Sequence, residues 1–334
     1  MHRREFVKLG LASAVTTSVA GCTGQDPESE NDGTRAPDTD QSNQDTPDST
    51  VYNDHIEKAD EAMTNAGDEL QAESDKFSSA EFESGSVDVR TATIYDYLST
   101  AEEHLKSAEP HATQSQKEYI ELAGNWITLA RDATEFLDIF AEGYSQANSG
   151  FTYIQSERYS DAVNQLETAE TTLTDANDQL TLSKNSLSNI DRSKMEDLDA
   201  VSYTKVEDGI NQLEELMPVI IELTSGMKDL SKGLVDYMDG SEAFDAENYS
   251  EAERKFRDAA EDFTVSHSTF KEQEDTAPDN MKTTFIELTC YSGALRDASD
   301  HLANAVEAIQ NGNRTRANEE ARKAEEATNR CDFS

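Results

Sequence analysis

Three apolar seams of one common spacing constrain this chain more than anything else in it. The first runs through Tyr119, Leu122, Trp126, Leu129, Ala133, Phe136 and Phe140. The second runs through Val206, Ile210, Leu213, Met217, Ile220, Met227 and Leu234. The third runs through Phe285, Leu288, Leu295, Ala298, Leu302, Ala305 and Ile309. Each advances by a mean step of about 3.5 residues, the spacing that keeps one stripe of a helix turned toward a partner in a left-handed bundle. Alternation of branched and aromatic residues, the mark of a half-buried strand, is absent. The expected fold is therefore all-α, an elongated bundle of long antiparallel helical hairpins. A helix of about 35 residues would be about 50 Å long. Trp126, the single tryptophan, lies on the first seam and reads as core. Pro218 interrupts the second, where loss of a backbone donor predicts a kink or a break near Met217.

A repeat accompanies the seams. Gly150 and Tyr153 precede Ala162, Leu166 and Ala169; Gly240 and Ala243 precede Ala252, Phe256 and Ala259; Ala305 and Ala308 precede Ala317, Ala321 and Ala324. A weaker fourth copy falls at Ala101, Leu105 and Ala108. This order of small and large positions resembles the tetratricopeptide motif, in which two short helices interlock through them. The resemblance implies helical hairpins that serve protein binding. True tetratricopeptides recur every 34 residues, whereas Ala162, Ala252 and Ala317 lie 90 and 65 residues apart. The first helix of each hairpin is accordingly expected to be lengthened. Ser160, Ser250 and Thr315 are placed to cap the second helix of each hairpin.

The N-terminus carries an address. Arg3 and Arg4 are followed by a mild apolar run from Leu9 to Val15, then Val19-Ala20-Gly21-Cys22. That run is too short and too polar to span a bilayer. The order of parts resembles a twin-arginine (Tat) export signal ending in a lipobox. It implies export in folded form, cleavage before Cys22 and a lipid on that cysteine, holding the protein to the extracellular face of the cell membrane. Residues 1–21 would be the signal and 22–51 a disordered acidic tether, devoid of branched aliphatic or aromatic residues before Val51. Such a tether of about 28 residues reaches roughly 30 Å. Two helical hairpin lobes are expected to follow, at 52–190 and 203–334, separated where the periodicity lapses.

Acidic residues number 69 against 28 Lys plus Arg, for a net charge of −41. Binding nucleic acid requires cationic side chains to neutralise phosphates, so nucleic acid is excluded as a partner. Self-repulsion at this density works against a compact state. At molar salt, where the Debye length is about 3 Å, that repulsion nearly vanishes. Together with the signal and the tether, the acidity resembles secreted lipoproteins of extremely halophilic archaea, and implies solvation in high salt rather than a cation site.

Cys290 and Cys331 remain once Cys22 is set aside for lipid. A hairpin turn near Gly312 would put them about 33 and 29 Å from it, nearly level on adjacent helices. That is compatible with a disulfide outside the cell or with two buried free thiols. Asn248-Tyr-Ser250 and Asn313-Arg-Thr315 are glycosylation sequons in equivalent turns. The same residues also serve turn and cap chemistry. No histidine among positions 2, 55, 104, 111, 267 and 301 has metal-site spacing, and Asp297 with His301 reads as a surface ion pair. Gly143-Tyr-Ser145-Gln-Ala147 lacks the last glycine of a nucleophile elbow. No catalytic residue, cofactor or metal is expected. The reading is a surface-anchored, non-enzymatic interaction module whose partner is another exported or membrane protein. The alternatives are a solute-binding lipoprotein of a transporter or sensor, or a passive envelope spacer.

Overall fold

The structure, a computed structural model, describes residues 49–76, 88–195 and 203–331. Among them every regular element is helical: α1 Ser49–Asp75, α2 Ala92–Ala108, a 3-10 turn Glu109–His111, α3 Gln114–Gln155, α4 Tyr159–Ser188, α5 Arg192–Met195, α6 Tyr203–Asp245, α7 Tyr249–Gln273, α8 Asp279–Gln310 and α9 Arg314–Thr328. The three seams fall on α3, α6 and α8. At 42, 43 and 32 residues these are the long first members of three hairpins. The lengthening anticipated from repeat spacing is thus present.

Cross-helix pairs give the direction of three sets of neighbours. Glu102 meets Arg131 and Thr91 meets Asp138 between α2 and α3. Lys184 meets Glu214 and Lys228 meets Glu170 between α4 and α6. His267 meets Thr289 and Gln310 meets Glu253 between α7 and α8. In each set, rising numbers on one helix pair with falling numbers on the other, so the neighbours are antiparallel. Setting aside the one-turn α5, each helix packs mainly on the helices before and after it in sequence, so that α4 lies against α6. One continuous apolar cluster runs from Ala59 through α3, α4 and α6 to Leu295 of α8.

Three hairpins share one turn. Glu157 (φ 61°), Glu247 (φ 60°) and Gly312 (φ 71°) adopt the left-handed conformation just past α3, α6 and α8. The next residue's N–H then reaches back five positions, Arg158 to Tyr153 O, Asn248 to Ala243 O and Asn313 to Ala308 O, at 2.8–2.9 Å. This arrangement satisfies carbonyls that a helix end otherwise leaves open. It also corrects the capping expectation. Arg158, Asn248 and Asn313 occupy the cap position, and Ser160, Ser250 and Thr315 lie two residues inside the helix. The left-handed residue reverses the chain within two residues of the first helix's end, so the cap follows at once, upstream of those hydroxyls.

Inside the hairpins, glycines on the first helix face large side chains on the second. A Cβ at Gly143 or Gly150 of α3 would come within 2.9 and 2.6 Å of Leu173 and Leu166. At Gly226, Gly233 and Gly240 of α6 it would come within 2.3, 2.6 and 2.9 Å of Phe270, Phe263 and Phe256. These positions recur every seven residues on both partners. The resulting close approach buries Phe263 and Phe270 completely, and a fully buried side chain of this size contributes about 1.5–3 kcal/mol. The α8/α9 hairpin has alanine instead, packing Ala298 against Ala324 and Ala327 beneath Leu302. Its Ala321, expected on the interface, is exposed because no further helix covers it.

Pro218 lies within α6 without breaking it. Its ring is on the exposed side, so the Glu214 carbonyl that loses its donor faces water rather than core.

Candidate functional sites

Arg3, Arg4 and Cys22 lie outside the described residues, as does nearly all of the acidic tether. What the structure does place is Ser49, the first described residue, relative to the rest of the body. α1 is antiparallel to α2, since His55 meets His104 while Glu73 accepts the Arg90 N–H just before α2, so α1 runs in the same direction as α3, to which Tyr119 ties it by donating to Asp60 at 2.6 Å. Ser49 therefore sits at the end of the body where α3 begins. The turns at Glu157, Glu247 and Gly312 lie together at the opposite end. The 42 residues of α3 separate the two ends by about 60 Å.

Cys290 of α8 and Cys331, just past α9, are joined in a disulfide with a Cα–Cα distance of 6.0 Å. It spans 41 residues of sequence and closes the hairpin whose packing is thinnest. Nearby, Arg330 donates to Asp297 at 2.8 Å and His301 contacts Glu320 at 2.7 Å. The pairing of Asp297 with His301 is thereby corrected: each turns to α9 or its C-terminal end, where a cross-helix partner is nearer than the residue one turn along. Partial burial pushes the Asp297 carboxyl up, but hydrogen bonds from Arg296 and Arg330 outweigh this and hold it below the usual range.

Asn248 and Asn313 are both exposed. Asn313 Oδ1 accepts the Arg316 N–H at 3.1 Å as a helix cap, while Asn248 makes no side-chain cap bond. At the equivalent point of the first hairpin stands Arg158, whose guanidinium lies 4.3 Å over the Tyr153 ring and pairs with Asp161 at 2.7 Å.

Two further clusters were hidden in the sequence. His55 of α1 and His104 of α2 meet with Nδ1 atoms 3.1 Å apart, a contact that spacing could not reveal across a loop of unknown length. Between α6 and α7, Lys255 bridges Asp236 and Asp239 at 2.6 and 2.8 Å. Beside them partial burial, with Asp236, Asp229 and Glu261 adding and Lys232 opposing, pushes the Asp262 carboxyl up to about 6. Between α2 and α3, burial raises Asp138, opposed by the Thr91 hydroxyl that donates to it at 2.8 Å.

One groove opens between α2 and α3, of about 200 Å³, with Leu105, Ile120 and Ile127 on its walls and the Glu102–Arg131 pair at its edge. Ligand pockets ordinarily run from about 300 to 1,000 Å³. Trp126 is 3% exposed and lies in the core, and Gly143 sits mid-helix in α3. Among the described residues no group of three His, Cys, Asp or Glu could hold a metal ion, and no helix is long and apolar enough to cross a membrane. No protein-family model, curated protein or solved structure matches the chain.

Proposed function

We propose that this protein is a non-enzymatic lipoprotein, anchored through Cys22 on the outer face of the cell membrane, that presents its helical body to another exported or membrane protein. The observation that supports this reading most directly is the nearest-neighbour order of the helices. An array in which each helix packs on the one before and the one after is quasi-one-dimensional, and such arrays offer extended side surfaces to partners. Here those surfaces belong to an acidic body that still exposes Leu182, Met238, Val265 and Ile286, each about half accessible.

The polarity of the body fits the same reading. A tether joined at Ser49 enters the end from which α3 departs, so the hairpin turns point away from the membrane and the long sides of the helices stand free.

In-cell cross-linking tests the proposal. A photoreactive residue at Met238 or Ile286, activated in intact cells at native salt, is expected to yield one reproducible adduct with an exported or membrane protein. A surface-displayed chain that gives no protein adduct from either position would count against it.

A further inference from the structure

We propose that Asn248 and Asn313 each carry an N-linked glycan, so that the end of the body farthest from the tether is sugar-coated. The inference rests on the exported reading above. Asn248-Tyr-Ser250 and Asn313-Arg-Thr315 are the only Asn-x-Ser/Thr sequences in the chain. The structure brings both to the same end, in turns with the same left-handed residue and the same back-bond, although they lie 65 positions apart in sequence.

The competing explanation was that asparagine and hydroxyl serve the turn. The helix boundaries remove half of it. Ser250 and Thr315 are the second residues of α7 and α9, past the cap position, so neither hydroxyl caps its helix. The asparagines do stand at the cap, but only Asn313 uses its side chain there.

The chemistry is compatible with both positions. In transfer, Asn Nδ2 attacks the anomeric carbon of an oligosaccharide carried on a lipid phosphate. The new N–C bond forms as the C–O bond to phosphate breaks; the phosphate leaves with the electron pair, and the amide proton passes to the transferase's base. Only Nδ2 is consumed. Asn313 Oδ1 keeps its bond to the Arg316 N–H, so glycosylation does not uncap α9.

Access is likewise provided. Both asparagines are exposed and follow a left-handed residue that carries the turn outward. The first four N–H groups of a helix have no intrahelical acceptor, so opening the first turn around Ser250 or Thr315 sacrifices few bonds. A transferase acting on an already folded chain meets its acceptors where the fold yields most readily. Sugar at these tips leaves the sides of the helices, where the exposed apolar residues lie, open to a protein partner.

The first hairpin supplies an internal control. Arg158-Tyr159-Ser160 has the same turn and the same hydroxyl but no asparagine. The full-length chain is to be produced in its native host, recovered from membranes and digested, and the peptides spanning 248 and 313 weighed. Both are expected to carry a sugar mass. Ser250→Ala should abolish only the first and Thr315→Val only the second. Arg158→Asn should create a third occupied site, and failure to do so would contradict the claim that this turn is the acceptor geometry. Unmodified peptides in chains processed to Cys22, from cells whose other exported proteins carry Asn-linked sugar, would overturn the inference alone. An unprocessed chain retained in the cytosol would overturn the exported reading and this inference with it.

Discussion

Gly233 of α6 lies against the ring of Phe263 of α7 so closely that a Cβ at Gly233 would stand 2.6 Å from the ring's Cδ1 and Cε1. Phe263 is fully buried, so the ring has nowhere to move. Overpacking of this kind costs about 1–3 kcal/mol, which exceeds the roughly 1 kcal/mol that alanine gains over glycine in a helix. Gly233→Ala should therefore lower unfolding free energy by up to about 2 kcal/mol. Gly124 of α3 is the contrast: a Cβ there meets nothing within 4 Å, and Gly124→Ala should stabilise by up to about 1 kcal/mol. Urea unfolding of the two variants checks both signs. A stabilising Gly233→Ala would mean that the α6/α7 approach is looser than described.

The disulfide should matter most to α9. That helix contributes only Ala317, Ala324 and Ala327 to the buried surface. Closing a loop of 41 residues restricts the unfolded chain by about 4 kcal/mol in the chain-entropy account. Reduction, or Cys331→Ser, should expose the backbone amides of 314–328 to hydrogen exchange while those of α6 and α7 stay protected. Equal protection of α9 with and without the bond would show that its alanine packing suffices.

Much of this was legible in advance, and the reason lies in what each signal depends on. The seams on α3, α6 and α8 needed only apolar spacing, which any partner helix must match. Gly150 and Gly240 were legible as small positions of the repeat. Gly143, Gly226 and Gly233 were not, because a glycine's role as a socket depends on what fills it, and Leu173, Phe270 and Phe263 are distant in sequence. The caps lie two residues upstream of the hydroxyls in all three hairpins, even where Gly312 marks the left-handed position, because sequence did not show how few residues the turn takes. His55 and His104 meet across a connection whose path composition does not specify. The level placement of Cys290 and Cys331 was computable, since a tight turn at Gly312 fixes the register of the two helices.

Asp262 gives the fold an acid-side preference. Its carboxyl rises from 3.8 to about 6, chiefly through burial. Between those values the folded state binds a proton that the unfolded state has released, so this group's contribution to stability falls as pH rises from about 4 to 6. Asp262 retains access to water, and solvent screening reduces the effect to about 1 kcal/mol. Asp262→Asn should therefore raise the melting temperature at pH 7 and leave it nearly unchanged near pH 4. An equal shift at both values would assign the effect to packing instead of charge.

Salt should stabilise the whole body. With 69 acidic residues against 28 basic ones, repulsion extends over a Debye length of about 10 Å at 0.1 M and about 3 Å at 1 M. Melting temperature should climb steeply in that range of sodium chloride and flatten above it. A melting temperature indifferent to salt would remove the halophilic interpretation of the charge.

The central claim is that the helical body is displayed outside the cell on a lipid anchor, and the N-terminal peptide of the protein recovered from its native host tests it most directly. The account predicts a peptide that begins at Cys22, carries the mass of a lipid on its sulfur and fractionates with the membrane. A peptide that begins at Met1 or His2, with Arg3, Arg4 and an unmodified Cys22 in a soluble cytosolic chain, would contradict it.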